Sequence, residues 1–240
     1  MRNMEDTQVQ KAYQLISDMI FRYQISPGMM VSDFALSKVL GISRTPIRQA
    51  IMMLLNSGLV VSAGKGYKVP EITLESIDDL YDARVCLEVA ILRMSMAKGI
   101  DKADIARLRQ IVELESKCND SGDILSSLEH DLEFHKQLNS LSHNMRLESS
   151  FENLRLQMKM LNVFSLAAPN FSTPAVYSSI LDSIAEGDVE LATAKLANSI
   201  ESGRRQKKTA IEKFGVYGLQ GIYTFIAQSY SSAWAKERRK

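Results

Sequence analysis

Between Ser32 and Gly58 the chain has room for two short helices and little else. Ser32 and Asp33 offer an N-cap, helical spacing runs through Leu40, and Gly41 breaks the segment. Ser43 offers a second N-cap, and Pro46 falls in the first turn, where its missing N–H costs nothing. That helix runs to Ser57 and stops at Gly58. Ile47, Ile51 and Leu54 form one stripe at i, i+4, i+7 and face inward. Arg44, Thr45, Arg48 and Gln49 face outward at the N-terminal end. Two short helices across a brief break, the second headed by cations, describe a helix-turn-helix.

The flanks complete a small domain. Val9, Ala12, Tyr13, Ile16, Met19, Ile20 and Tyr23 follow helical spacing, Pro27-Gly28 makes a turn, and Met29–Val31 is extended. Leu59-Val60-Val61 and Tyr67-Lys68-Val69 flank the turn Ser62–Gly66, a hairpin with Lys65 and Gly66 at its tip. This is a winged helix. Free N–H groups and the dipole at the start of the second helix favour phosphate, and arginine there can donate bidentately to guanine in the major groove. The alternative is a winged helix used only for protein contacts, but packing gives no reason for arginine at both outward positions.

The 240 residues carry a net charge of +1, which taken alone argues against a nucleic-acid partner. By segment the charge is +4 over 1–70, −10 over 71–203 and +7 over 204–240. The neutral total is therefore a cancellation, and a basic head suits a polyanion. A chain 45% apolar and 24% charged is not disordered or low-complexity. Cys86 and Cys118 lack both a disulfide framework and zinc-ligand spacing, and the first residues lack an apolar secretory core. A cytoplasmic protein with no membrane partner is the expectation. No nucleophile elbow, P-loop or dinucleotide fingerprint occurs, and the methionines read as core filling.

The run SPGMMVSDFALSKVLGISRTPIRQAIMMLLNSGLVVSAGKGYKVPEIT resembles the DNA-binding domain of the GntR family of bacterial transcription regulators. The resemblance implies that Arg44, Thr45 and Arg48 enter the major groove of an operator, with Ser43 and Gln49 beside them. Lys65, Gly66 and Lys68 then approach the minor groove and the backbone. Phe34 stands where relatives often carry arginine, so the operator sequence does not carry over.

Past a linker at 71–73, residues 74–213 read as an all-α antiparallel bundle. Thr73 caps its first helix, periodicity recurs through 101–118, 123–141, 144–166, 174–186 and 188–211, and breaks fall at Gly99, Gly122, Pro169, Pro174 and Gly187. YDARVCLE at 81–88, DLEFHKQLNSLSHN at 131–144 and SILDSIAEGDVELATAKL at 179–196 resemble the FCD effector domain of the FadR subfamily. The resemblance implies a homodimer with an effector cavity that usually holds a divalent ion such as zinc, nickel or manganese.

Asp131 and His135, spaced i, i+4, project to one side of a helix as two metal ligands must. The two further histidines of the family fall at Tyr177 and Ser199, neither a good ligand, so no tightly bound metal is expected. Asp131 and His135 then persist as a hydrogen-bonded pair. Without an ion, Arg84, His135, Tyr177 and Ser199 become candidates to hold the carboxylate of a small organic acid. Arg84 can equally pair with Glu88, one turn on. The run Arg204–Lys208 reads as a solvated helix end. Phe214–Ala235 is uncharged, and 214–240 reads as an amphipathic C-terminal extension.

These features predict a mainly α, homodimeric transcription regulator, most often a repressor, reading an inverted-repeat DNA operator under effector control. One alternative is the same regulator with a cavity that takes neither metal nor small ligand. A metal-dependent enzyme built on Asp131 and His135 lacks a third ligand and any acid–base partner.

Overall fold

The computed structural model describes the backbone of residues 2–167 and 173–237, and the side chains of 7–162, 164–165, 173–216, 218 and 221. The chain divides into two compact units, one of residues 1–76 with 214–240, the other of 77–213.

In the first unit, α1 (Arg2–Phe21) packs on α3 (Arg44–Asn56), with α2 (Asp33–Leu40) against α3. Ala12, Ile16 and Ile20 of α1 meet Ile47, Ala50, Ile51 and Leu54 of α3 in the core, all at 2% exposure or less. The Ser32 hydroxyl caps α2 by accepting from Ala35 N, and Gly41 closes it in the left-handed region at φ 65°. Ser43 holds the N-cap backbone position of α3, but its hydroxyl makes no capping bond. The Pro46 side of that turn is buried instead, so burial rather than a side-chain cap defines the helix start.

The wing is tighter than the sequence predicts. Strands β2 (Val61–Ala63) and β3 (Gly66–Lys68) pair antiparallel with Ala63 opposite Gly66, which leaves only Gly64 and Lys65 in the turn. Gly64 takes φ +60°, as a two-residue hairpin turn demands. Leu59 and Val60 are fully buried core residues rather than wing strand. The extended piece β1 (Met30–Val31) adds a third strand by pairing with β3.

The regular structure among the described residues of the second unit is helical: α4 (Leu74–Lys98, entering it at residue 77), α5 (Lys102–Ser121), α6 (Ile124–Ser140), α7 (Met145–Met160), a 3-10 turn at Asn162–Ala167, α8 (Thr173–Glu186) and α9 (Val189–Glu237, within it as far as residue 213). The Thr73 hydroxyl accepts from Ser76 N, and Ser76 reciprocates, fixing the start of α4. Gly122 ends α5 at φ 75°, and the Asp123 carboxylate caps α6. Pro174 is not a break: it lies in the first turn of α8, where proline is tolerated. Pro169 lies outside the described residues. Arg93 pairs with Glu190, Arg204 with Asp82 and Lys208 with Asp78, so α4 and α9 run antiparallel. Helix α9 is interrupted at Gly215, whose φ 65°, ψ 164° is open to glycine alone. The side chains beyond residue 221, on which the amphipathic reading of the C-terminal extension depends, lie outside the described ones. No helix among the described residues is long and apolar enough to cross a membrane.

Candidate functional site

The outer face of α3 is built as its spacing predicts. Arg44, Thr45, Arg48 and Gln49 are all exposed, because the opposite stripe is taken into the core. Their geometry carries one feature absent from the sequence reading. Arg44 donates to both oxygens of Asp33 at 2.9–3.2 Å, and Arg48 Nε lies 2.5 Å from the same carboxylate. The hydrogen bonds from Arg48 and then Arg44 hold Asp33 below the ordinary carboxylate range. Lys65 is exposed at the wing tip, and Gly66 is followed two residues on by Lys68. Lys68 is not free in this state: its Nζ pairs with Glu71 at 2.7 Å. At Gly66 a Cβ would come 3.0 Å from Met30 Cε, the end of an exposed, flexible side chain that can move aside, so packing does not by itself demand glycine there. Phe34 is exposed, with Lys38 Nζ 4.4 Å above its ring, which places a cation near the spot the missing arginine leaves.

In the second unit a cavity of about 920 Å³ is lined from α4, α5, α6, α8 and α9. All five candidates line it: Arg84, Asp131, His135, Tyr177 and Ser199. Arg84 does both things its position allows. Its Nε donates to Glu88 Oε1 at 2.8 Å, and it still faces the cavity. Burial alone would weaken the Arg84 charge, and the neighbouring Glu88 carboxylate more than restores it. Burial would likewise raise Glu88, yet His135 and Arg84 hold it at about 2.

Asp131 and His135 do not bond each other directly. Glu88 Oε2 lies 2.6 Å from His135 Nδ1, which fixes a proton there and turns Nε2 toward the cavity. Nε2 then meets the Tyr177 hydroxyl at 3.0 Å and Arg84 Nη2 at 3.3 Å. The same hydroxyl donates to Asp131 Oδ1 in a short hydrogen bond. Tyr177 therefore bridges the expected pair, with its ring stacked on Phe134 at 4.0 Å between centroids. Burial, and then the Asp131 charge, push its hydroxyl well above the ordinary tyrosine range, so it stays a phenol.

This donor set does not fit a divalent ion. The space between the two family ligands holds a phenol oxygen, and Ser199 offers only a hydroxyl. Among the described residues no group of three His, Cys, Asp or Glu is arranged for a metal.

The run 204–208 is not a solvated helix end. Arg204 and Lys208 pair with acids of α4, while Lys207 is buried and lines the cavity. Its Nζ hydrogen-bonds to Ser165 Oγ, and burial pulls it down to about 8. Glu115 was also missed. It is 1% exposed, and burial, then Asp131, push its carboxyl well up, so it is protonated at neutral pH.

Residues 79–202 match the FCD domain, and residues 8–69 match the bacterial regulatory proteins of the gntR family. The chain is 28% identical over 147 residues to the uncharacterised HTH-type transcriptional regulator YdhC of Bacillus subtilis, covering 59% of this chain and 64% of that one. It is 34% identical over 132 residues to the Nta operon transcriptional regulator of Aminobacter aminovorans, covering 54% and 61%. The matches thus span under two thirds of these relatives. Among solved structures, McbR/YncC of E. coli is similar with a TM-score of 0.72 at 19% identity, covering 84% of this chain and 97% of that one, a likeness of fold.

Proposed function

Because the chain belongs to the FCD domain family and bears a gntR-family head, we propose that it is a DNA-binding transcription regulator controlled by a small organic acid. The observation that carries this reading is the exposed N-terminal face of α3, where Arg44, Thr45, Arg48 and Gln49 stand opposite a buried stripe. Arg48 reads a base edge, Arg44 and Thr45 fix the helix in the groove, and Lys65 with Gly66 follow the minor groove. Two copies related by a two-fold read an inverted repeat. The protein belongs to the FadR subfamily, works in the cytoplasm as a repressor, and does no chemistry of its own. The second unit takes the effector in its cavity, with Arg84, Tyr177, Ser199 and His135 on the walls. No divalent ion is held tightly, since Tyr177 occupies both Asp131 and His135.

Selection from a random duplex library tests the reading. The wild type enriches one inverted repeat, and Arg48→Ala relaxes discrimination at one position of each half-site at a cost of about 1–3 kcal/mol. Unchanged enrichment by the Arg44→Ala/Arg48→Ala double variant removes α3 from the interface.

A further inference from the structure

Among the described residues, Lys207 is a charge without an ion-pair partner. It is 8% exposed, its Nζ has one hydrogen bond, to Ser165 Oγ, and among the described residues it makes no ion pair. An ammonium has three N–H donors, so two remain for something in the cavity. Three acids around the cavity are otherwise engaged. Glu88 on α4 is taken by Arg84 and His135, Asp131 on α6 accepts from Tyr177, and Glu115 on α5 is protonated. Arg84 on α4 is a second cation facing the same space, and Tyr177 and His135 are hydrogen-bonding groups there. A buried cation so placed is costly alone and is relieved by an anion.

We propose that Lys207 is the anion anchor of this cavity, its ammonium taking the carboxylate of an organic acid directly, with no metal between them. The proposal rests on the reading of the second unit as an effector domain. It assigns to one lysine the charge that a divalent ion would bring to a site with enough donors. Two further observations narrow the ligand. Glu115 Oε2 and Gln206 Oε1 are buried, lack partners among the described residues, and belong to side chains that line the cavity. An acid carrying hydroxyl donors satisfies what a plain aliphatic acid leaves unmet. The pull of burial on Lys207, opposed by Asp131 and aided by Arg84, agrees with a cation awaiting its counter-ion.

Adipate and galactarate, six-carbon diacids without and with hydroxyls, serve as probes. Thermal unfolding of the full chain is followed near neutral pH with and without EDTA, with each acid at about 10 mM, a level at which specific binding displaces the midpoint. Galactarate raises the wild-type midpoint by several degrees and adipate by less. Lys207→Met responds to neither, while Lys207→Arg keeps a response. Without acid, Lys207→Met melts higher than the wild type, because the unpaired charge is gone; a merely structural lysine would melt lower when removed. Equal shifts in wild type and Lys207→Met overturn the proposal and leave the effector reading intact. A wild-type shift that EDTA abolishes overturns the metal-free part. No shift in the wild type, with or without EDTA, overturns the proposal together with the acid reading of the cavity, without touching the DNA-binding result.

Discussion

Arg48 Nε lies 2.5 Å from Asp33 Oδ2, so one carboxylate at the start of α2 tethers a cation at the start of α3. Arg44 shares that carboxylate, and both guanidinium groups are oriented before any DNA arrives. Asp33→Asn removes a negative charge from the groove-facing surface and releases both side chains. Affinity for random duplex then rises, the slope of log K against log salt steepens by about one, and the margin for the selected site narrows. Anisotropy titrations at several salt concentrations measure all three, and an unchanged slope contradicts the tether.

Glu88 is the hub of the buried network, bonded to Arg84 and His135 and 3.4 Å from Asn139 Nδ2. Glu88→Gln leaves Arg84 buried without its counter-charge and costs about 3–5 kcal/mol at neutral pH. Since the folded-state value of Glu88 lies at about 2, below its ordinary 4.5, its contribution is present above 4.5 and is lost as pH falls toward 2. Urea unfolding shows wild type and variant converging across that acidic window. A constant gap there would contradict the assignment.

Tyr177 and Ser199 stand where the resembled family has histidines. Tyr177→His with Ser199→His frees Asp131 and His135 from the phenol and raises the donor set to four. One equivalent of zinc then raises the melting midpoint of the double variant and leaves the wild type unmoved. A wild-type response to zinc would show that the phenol does not block the site.

Glu115 holds a proton in the folded state that the unfolded chain releases above about 4.5. Its stabilising contribution is therefore complete below that pH and declines as pH rises. Glu115→Gln is nearly neutral near pH 4 and more stable than the wild type near pH 8. Chemical denaturation at the two pH values decides this, and a variant weaker at both would show that Glu115 makes an ionic contact instead.

The head was legible because its punctuation is local. Ser32, Gly41, Pro46 and Gly58 act within one turn of themselves, so helix ends could be placed without knowing the fold. The register of the wing was not legible. Val60 and Val61 are equally good strand residues, and only packing sends the first to the core and the second to β2. In the bundle, the i, i+4 spacing of Asp131 and His135 correctly placed them on one side of α6, but the group between them comes from α8. Lys207 escaped notice because its neighbours Arg204, Arg205 and Lys208 are also cationic. Within the run no contrast marks the inward cation; only the phase of Ala192, Leu196, Ile200 and Ala210, carried through the run, places Lys207 on the buried face. Glu115, in a helix with polar residues on most faces, was hidden for the same reason.

The ion pairs joining α4 and α9 add little to stability, since their carboxylates are well exposed and pairs of this kind contribute about 0–1 kcal/mol each. Their effect is mechanical. Clasped near both ends, by Arg93–Glu190 at one and by Arg204–Asp82 and Lys208–Asp78 at the other, the two helices cannot slide past each other by a turn without breaking every clasp. Lys207 lies beside the second clasp. A guest that pulls on this lysine therefore loads α4 as well as α9, even where it touches α9 alone.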